Sequence, residues 1–333
     1  MAPVLVLVEH SNGEPSDPSL QALTLARSFP DGDSVQALLV STPIVGLERE
    51  LYRDTVTALA YDLGARHGVS STHIAEHEAL DSFAPDAWAA ILGQLADRLN
   101  ASAIFAAGTD RGNDVMARVA ARMNLPLATN CIAVAPGPPV TLTRQRWGGS
   151  LLEEARLQGG RALITVAPHT VPIEQAQAET KVERFTPQLK DQELVVRVAE
   201  HVSTKGGGVS LAEAKVVVSG GRGVGSKEGF AIIEELAGLL GGAVGCSRVV
   251  TSAGWRPHTD QVGQTGTKIA PDLYIACGIS GATQHMAGCK GAKRILAINS
   301  DADAPIMQNA DYAVVGDLKE IVPAISAEIR KQR

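Results

Sequence analysis

Aromatic side chains make up only 4% of this 333-residue chain, and cysteine is scarcer still, with four residues at Cys131, Cys246, Cys277 and Cys289. None of the four forms a CxxC pair and their spacing matches no zinc site, so no metal cluster is expected and the thiols read as reduced. A basic excess is missing too. The formal net charge is −6, the wrong sign for a surface that tracks phosphates, so no nucleic-acid partner is expected. Long hydrophobic runs are also absent. The start MAPVLVLVEH has few apolar residues before Glu9 and His10 and no basic leader, too little for a signal sequence or a membrane span. The expectation is a cytoplasmic protein without direct membrane insertion. What is present is ordinary globular material, 45% hydrophobic and 20% charged, long enough for two domains with separate cores.

In the first half, short β-branched apolar runs alternate with segments of helical period, the pattern of parallel strands joined by crossover helices. Strands are expected at Val4 to Val8, Val35 to Val40, Ala103 to Ala107, Cys131 to Val134 and Ala162 to Val166. Helices are expected at Leu20 to Ser28, Val56 to His67, Ala87 to Asn100 and Asp114 to Met123, the last stopped by Asn124 and Pro126. VTLTRQRW, then Gly148 and Gly149, then a run ending in LITV suggest an antiparallel excursion between Val140 and Thr165. The fold class is α/β, with two domains each built on a mainly parallel sheet flanked by helices.

From Pro172 to Ala214 the pattern weakens, ending in KGGGVS, as in a strap or linker with a boundary near Gly206. The organisation expected is an N-terminal domain over 1–190, a linker over 191–213 and a C-terminal domain over 214–333. Of the chain's 33 glycines, 19 lie between Gly206 and Gly291, interrupting strand-like segments at KVVVS, RVVTS, LYIAC and RILAIN. Such density implies backbone that something approaches closely. The first of these loops, GGRGVGSKEGF, follows a strand and precedes a helix through Ile232 to Leu240, a generic phosphate site. Its spacing is nevertheless not GxGxxG, and Gly225, Ser226 and Lys227 reverse the Walker order, so a plain tight turn explains it as well.

The ordered set GGRG at Gly220, CSR at Cys246, VGQTG at Val262, GISGATQH at Gly278, AIN at Ala297 and ADYAVVGDL at Ala310 closely resembles the electron-transfer flavoprotein alpha family. The likeness is dense from Lys215 to Leu318 and looser at NDVMARVAARMNLPLATN and GGSLLEEARL. It implies FAD on an open C-terminal sheet, with Arg222 and Ser247 matching flavin-nucleotide contacts and Arg248 matching the arginine beside the isoalloxazine ring. Val262, Gly263, Gln264 and Thr265 match the loop bordering the flavin, with the Thr265 hydroxyl towards N5. Ser280, Gly281, Ala282, Thr283, Gln284 and His285 match the turn facing the ribityl chain and pyrimidine edge, and Asn299, Asp317 and Leu318 the surroundings of the adenosine. Thr283, Cys289 and Thr267 depart from the family's usual apolar residue, methionine and lysine, and Trp255 with His258 could line a partner-facing edge.

The chemistry suits these residue types. One-electron reduction leaves negative charge near N1 and O2 of a flavin, and a guanidinium about 4 Å away contributes on the order of 4 kcal/mol at an effective dielectric near 20, before desolvation and screening. A hydrogen bond from His285 at the O2 edge, with a helix start behind it, favours the same anion. Each residue also has a plainer reading: Arg248 as a surface ion-pair residue, Thr265 as a turn hydroxyl, His285 as a satisfied side chain, Asn299 and Asp317 as caps or turns. The resemblance implies an electron carrier without independent substrate turnover. Its implied partners are a beta subunit, dehydrogenase donors such as acyl-CoA dehydrogenases, and a quinone oxidoreductase or other redox acceptor. An electron-bifurcating flavoprotein and a nicotinamide-nucleotide-binding enzyme with His285 as acid or base stand as alternatives.

Overall fold

In the computed structural model the described residues are 2–11, 13–29, 34–41, 49–198, 210–212 and 214–332. The chain divides into two compact units, Met1–His201 and Val202–Arg333. The boundary expected near Gly206, with most of KGGGVS, lies outside the described residues.

The first unit runs β1 (Val4–Leu7), β2 (His10–Ser11), β3 (Glu14–Pro15), α1 (Asp17–Arg27), β4 (Val35–Val40), α2 (Arg49–His67), β5 (Ser71–Ala75), α3 (Pro85–Arg98), β6 (Ala103–Ala107) and α4 (Asp110–Met123). It continues through β7 (Leu127–Ala135), β8 (Val140–Arg146), β9 (Leu151–Leu157), β10 (Ala162–Val166) and β11 (Lys181–Phe185). Its nine-stranded sheet has the order β11-β5-β4-β1-β6-β10-β7-β8-β9. Burial of β1 on both faces explains its unbroken apolar run: Val4, Val6 and Val8 enter one core cluster, and Leu5 and Leu7 the other. The antiparallel excursion is real but shorter than expected, since among the described residues of the nine-stranded sheet only β7-β8 and β8-β9 are antiparallel. LITV belongs to β10, which runs parallel to both β6 and β7.

The segment expected to be a strap holds β11, a parallel edge strand on β5. KVERF alternates exposed and half-buried residues, so no hydrophobic run announces it. A short turn at Asp191–Leu194 follows, where the Glu193 carboxylate, almost fully buried, accepts from Arg122 Nη1 at 2.8 Å and from the Lys190 backbone N–H at 2.9 Å. β5 was likewise hidden from composition, because Thr72 and His73 are polar yet buried, with His73 Nε2 2.8 Å from Gln36 Oε1.

The second unit contains β12 (Val216–Gly220), α5 (Ala231–Leu239), β13 (Ala243–Cys246), α6 (Arg248–Ser252), β14 (Leu273–Cys277), α7 (Thr283–Cys289), β15 (Ile295–Asn299), α8 (Pro305–Asn309), β16 (Tyr312–Val315) and α9 (Leu318–Gln332). All five strands are parallel, in the order β13-β12-β14-β15-β16. RVVTS, expected to be strand-like, is instead the helix α6: it buries only Val250, one face of a turn, whereas a strand in this sheet would bury alternate residues on two faces. In the sheet proper, Val217, Tyr274 and Ala276 face one cluster while Val218, Ile275 and Cys277 face the other. All four cysteines are free and buried. Trp255 is partly buried against the second of these clusters, the packing role that explains a tryptophan most simply. No helix is long and apolar enough to cross a membrane among the described residues.

Candidate functional site

Numbered within the second unit, the strand order is 2-1-3-4-5, so the direction of winding reverses between β12 and β14. Crossovers leave in opposite directions there, opening a crevice beyond the carboxyl ends of the strands. A cavity of about 600 Å³ occupies this place. Twelve of the expected residues line it: Arg222, Ser247, Arg248, Val262, Gly263, Gln264, Thr265, Ser280, Ala282, Gln284, His285 and Asn299.

Glycine builds the floor, though not chiefly by yielding room to a ligand. The loops after β12 and β14 touch backbone to backbone: a Cβ on Gly221 would lie 2.2 Å from the Gly278 carbonyl oxygen, and one on Gly223 2.8 Å from Gly278 Cα. Two hydrogen bonds close the seam, from Gly221 N–H to the Cys277 carbonyl at 2.8 Å and from Gly223 N–H to the Gly278 carbonyl at 3.1 Å. Gly278 adopts φ +62°, a left-handed conformation that costs other residues free energy. The same device joins the VGQTG loop to α7. There a Cβ on Gly288 would come within 2.4 Å of the Gly263 backbone, and Gln264 N–H donates to the Gln284 carbonyl at 2.7 Å.

Four expected residues are not among the cavity's lining. Leu318 is buried beneath the seam, its Cδ2 2.6 Å from where a Cβ on Gly278 would stand. Gly281, at φ +79°, makes room for Ile306 of α8. Asp317 accepts the Lys319 N–H at 2.9 Å and so caps α9. Thr283 is exposed at the first position of α7. Asn299 does line the cavity, but its amide is engaged: Nδ2 donates to the Ile279 carbonyl at 2.9 Å and Oδ1 accepts from Asp301 N–H at 3.1 Å. Its visible work is to tie the loop after β15 to the loop after β14.

Electrostatically, the cavity is lined by two guanidiniums, Arg222 and Arg248, and one carboxylate, Asp301. Arg222 and Arg248 are exposed, and among the described residues neither has a carboxylate within ion-pair distance. No described residue supplies the carboxylate that the ion-pair reading of Arg248 needs, and its exposure means that solvent weakens any Coulomb attraction below the figure for a dielectric near 20. Ser247 stands at the N-cap of α6 without making a capping hydrogen bond, so its hydroxyl is not spent on the helix. His285 is different: its Nε2 lies 2.7 Å from the Tyr274 hydroxyl, and burial pushes its pKa down to about 4, with the Val262 carbonyl opposing. At neutral pH the ring is uncharged and contributes polarity rather than charge.

Residues that sequence reading passed over also line the cavity, among them Gln261, Asp301 and Val249. Gln261 is 2% exposed; its Nε2 donates to Thr265 Oγ1 at 3.1 Å and its Oε1 accepts from Thr251 Oγ1 at 2.7 Å. Its only signal in the sequence is adjacency to VGQTG. Two exposed guanidiniums, a free hydroxyl at Ser247 and loops converging on a switch point fit an anionic, phosphate-bearing group with an attached ring system.

Comparison with known proteins agrees. Residues 4–189 match the family described as "Electron transfer flavoprotein domain", and residues 210–290 the one described as "Electron transfer flavoprotein FAD-binding domain". The electron transfer flavoprotein subunit alpha of Mycobacterium leprae is 36% identical over 336 residues, covering all of both chains. That of Bacillus subtilis is 33% identical, covering 98% of this chain and 97% of its own. Protein FixB of Clostridium saccharobutylicum is 36% identical, with 98% and 96% covered.

Proposed function

This chain belongs to the electron-transfer flavoprotein alpha-subunit family, and from that premise we propose that it is the FAD-binding half of a heterodimeric electron carrier. The observation that carries the reading is the pair of guanidiniums, Arg222 and Arg248, with no carboxylate within ion-pair distance among the described residues, at a cavity on the switch point of an FAD-binding domain. Arg222 and Ser247 would hold the nucleotide portion, and the Arg248 cation would favour the reduced flavin. Bound FAD supplies the one-electron chemistry. The protein's share would be to line the flavin site with the VGQTG loop and the turn from Ser280 to His285, and to supply the Arg248 cation and the Thr265 hydroxyl there.

Residues 1–190 contact a beta subunit, 191–213 connect, and 214–333 carry the flavin. In the cytoplasm this chain takes electrons from dehydrogenases such as acyl-CoA dehydrogenases and passes them to a quinone oxidoreductase or other redox protein; it turns over no substrate of its own.

The test is anaerobic stepwise reduction of the protein copurified with its beta partner, followed by its visible spectrum. One FAD on this chain, with the one-electron-reduced form depleted in Arg248→Ala, is the expected result. A colourless complex that FAD cannot reconstitute overturns the reading, and a fully flavinated, redox-competent alpha chain without beta overturns the heterodimer.

A further inference from the structure

The segment from Ser247 to Asp260 leaves the rim of the second unit's cavity and comes back to it. Its ends are pinned together: Val262 N–H donates to the Cys246 carbonyl at 2.9 Å, and Cys246 pairs with Gln261 as an isolated parallel bridge. Ser247, Arg248 and Val249 line the cavity on the way out, Gln261 and Val262 on the way back. The segment carries a single carboxylate, Asp260, and it stands at the return, next to Gln261.

Arg256 holds that carboxylate. Its Nε donates to Asp260 Oδ2 at 2.8 Å and its Nη2 lies 2.7 Å from the same oxygen, while Nη1 donates to Glu234 Oε1 on α5. The guanidinium also rests 5.7 Å from the centroid of the Phe230 ring. The Asp260 side chain is 17% exposed and that of Glu234 52%, so solvent screens the charge of Glu234 far better than that of Asp260. Both charges of the Arg256–Asp260 pair reach the end of β13. Burial pushes the thiol of Cys246, the residue before Ser247, up to about 12; Asp260 adds to that push and Arg256 opposes it.

We infer that Arg256 is a positioning residue acting through Asp260: it fixes and neutralises the carboxylate at which this segment re-enters the cavity, so that Asp260 does not offset the pull of Arg248 on a ligand that gains negative charge. The inference rests on the FAD reading above. Arg248 and Arg256 against Asp260 give the segment one positive charge; without Arg256 the balance is zero, and without Asp260 it is two. A clamp that only steadied the segment would make every variant that breaks it act in one direction, whereas a charge pair makes the two single variants act in opposite directions and cancel when combined.

The holoprotein, with its beta partner, is therefore titrated for the potential of the first electron as wild type, Arg256→Gln, Asp260→Asn and the double variant. Arg256→Gln is expected to lower the equilibrium constant for uptake of the first electron about threefold, or about 28 mV, the modest size of a partly screened charge beside the cavity. Asp260→Asn raises it by a similar factor. The double variant returns to the wild-type value although the contact is gone, Arg256→Lys, which keeps the charge, stays there as well, and the shifts shrink at high salt. A fall in both single variants, no shift in either, or a double variant left at the Arg256→Gln value overturns the inference. Should Arg256→Gln not fold, the rise in Asp260→Asn carries the test, and its absence is enough to overturn the inference. A wild-type chain that binds no FAD overturns instead the reading beneath it.

Discussion

Replacing Gly221 by alanine tests the seam under the cavity. The new Cβ would meet the Gly278 carbonyl oxygen at 2.2 Å, the Gly278 carbonyl carbon at 2.7 Å and Ile279 Cα at 2.8 Å. All three are backbone, so no side-chain rotation relieves the contact, and the two loops must part by about 1 Å to reach ordinary van der Waals distance. Overpacking of this kind costs about 1–3 kcal/mol. Parting also stretches the hydrogen bonds from Gly221 and Gly223, each worth about 0.5–1.5 kcal/mol. A loss of about 2–5 kcal/mol is expected, a large share of a typical domain stability of about 5–15 kcal/mol. Gly238 in α5 is the control, since a Cβ there meets nothing within 4 Å. The same substitution at that site is expected to stabilise, by up to about 1 kcal/mol, through helix propensity. Hydrogen–deuterium exchange of β12 and β14 peptides reads both, with FAD content measured alongside. If Gly221→Ala leaves those strands as protected as in the wild type, close approach of the two loops is not what requires glycine, and the reasoning fails.

Other consequences follow from the buried polar pair. Tyr274→Phe removes the hydroxyl 2.7 Å from His285 Nε2 and leaves a buried nitrogen unpaired; urea unfolding is expected to show a loss of about 1–3 kcal/mol. His285, with a folded pKa of about 4, resists protonation that the unfolded chain accepts near 6.5. Stability from this group is therefore full above pH 6.5 and falls as the pH drops towards 4, by about 3 kcal/mol across that window. His285→Gln is expected to flatten that part of the pH profile, and an unchanged slope would assign the acid sensitivity elsewhere.

The parallel strands β4, β6 and β10 coincide with the apolar runs that predict them, because a strand buried on both faces is mostly apolar. β5 and β11 are not legible that way. One buries polar side chains that find partners only across the fold, and the other lies at an edge where two of its five residues are exposed and none is buried. α6 misled for a related reason: VV beside a glycine-rich loop has the composition of a strand, yet the segment is helical and buries only Val250.

By itself the sequence determined the α/β class, the glycine-dense second unit and, through motif order, the family. These are encoded locally, in runs and spacings that hold wherever the chain goes. Tertiary structure alone decided which residues share the cavity and what each does there. It set Leu318 and Gly281 to support the loops, Asp317 to cap α9, and His285 to stay neutral against Tyr274. It also left Arg222 and Arg248 with no carboxylate within ion-pair distance among the described residues and drew Gln261, unremarked in the sequence, to the hydroxyl of Thr265. Hydrogen bonds and charge depend on distances between segments far apart in the chain, and those distances exist only once the sheet has wound both ways about β12 and β14.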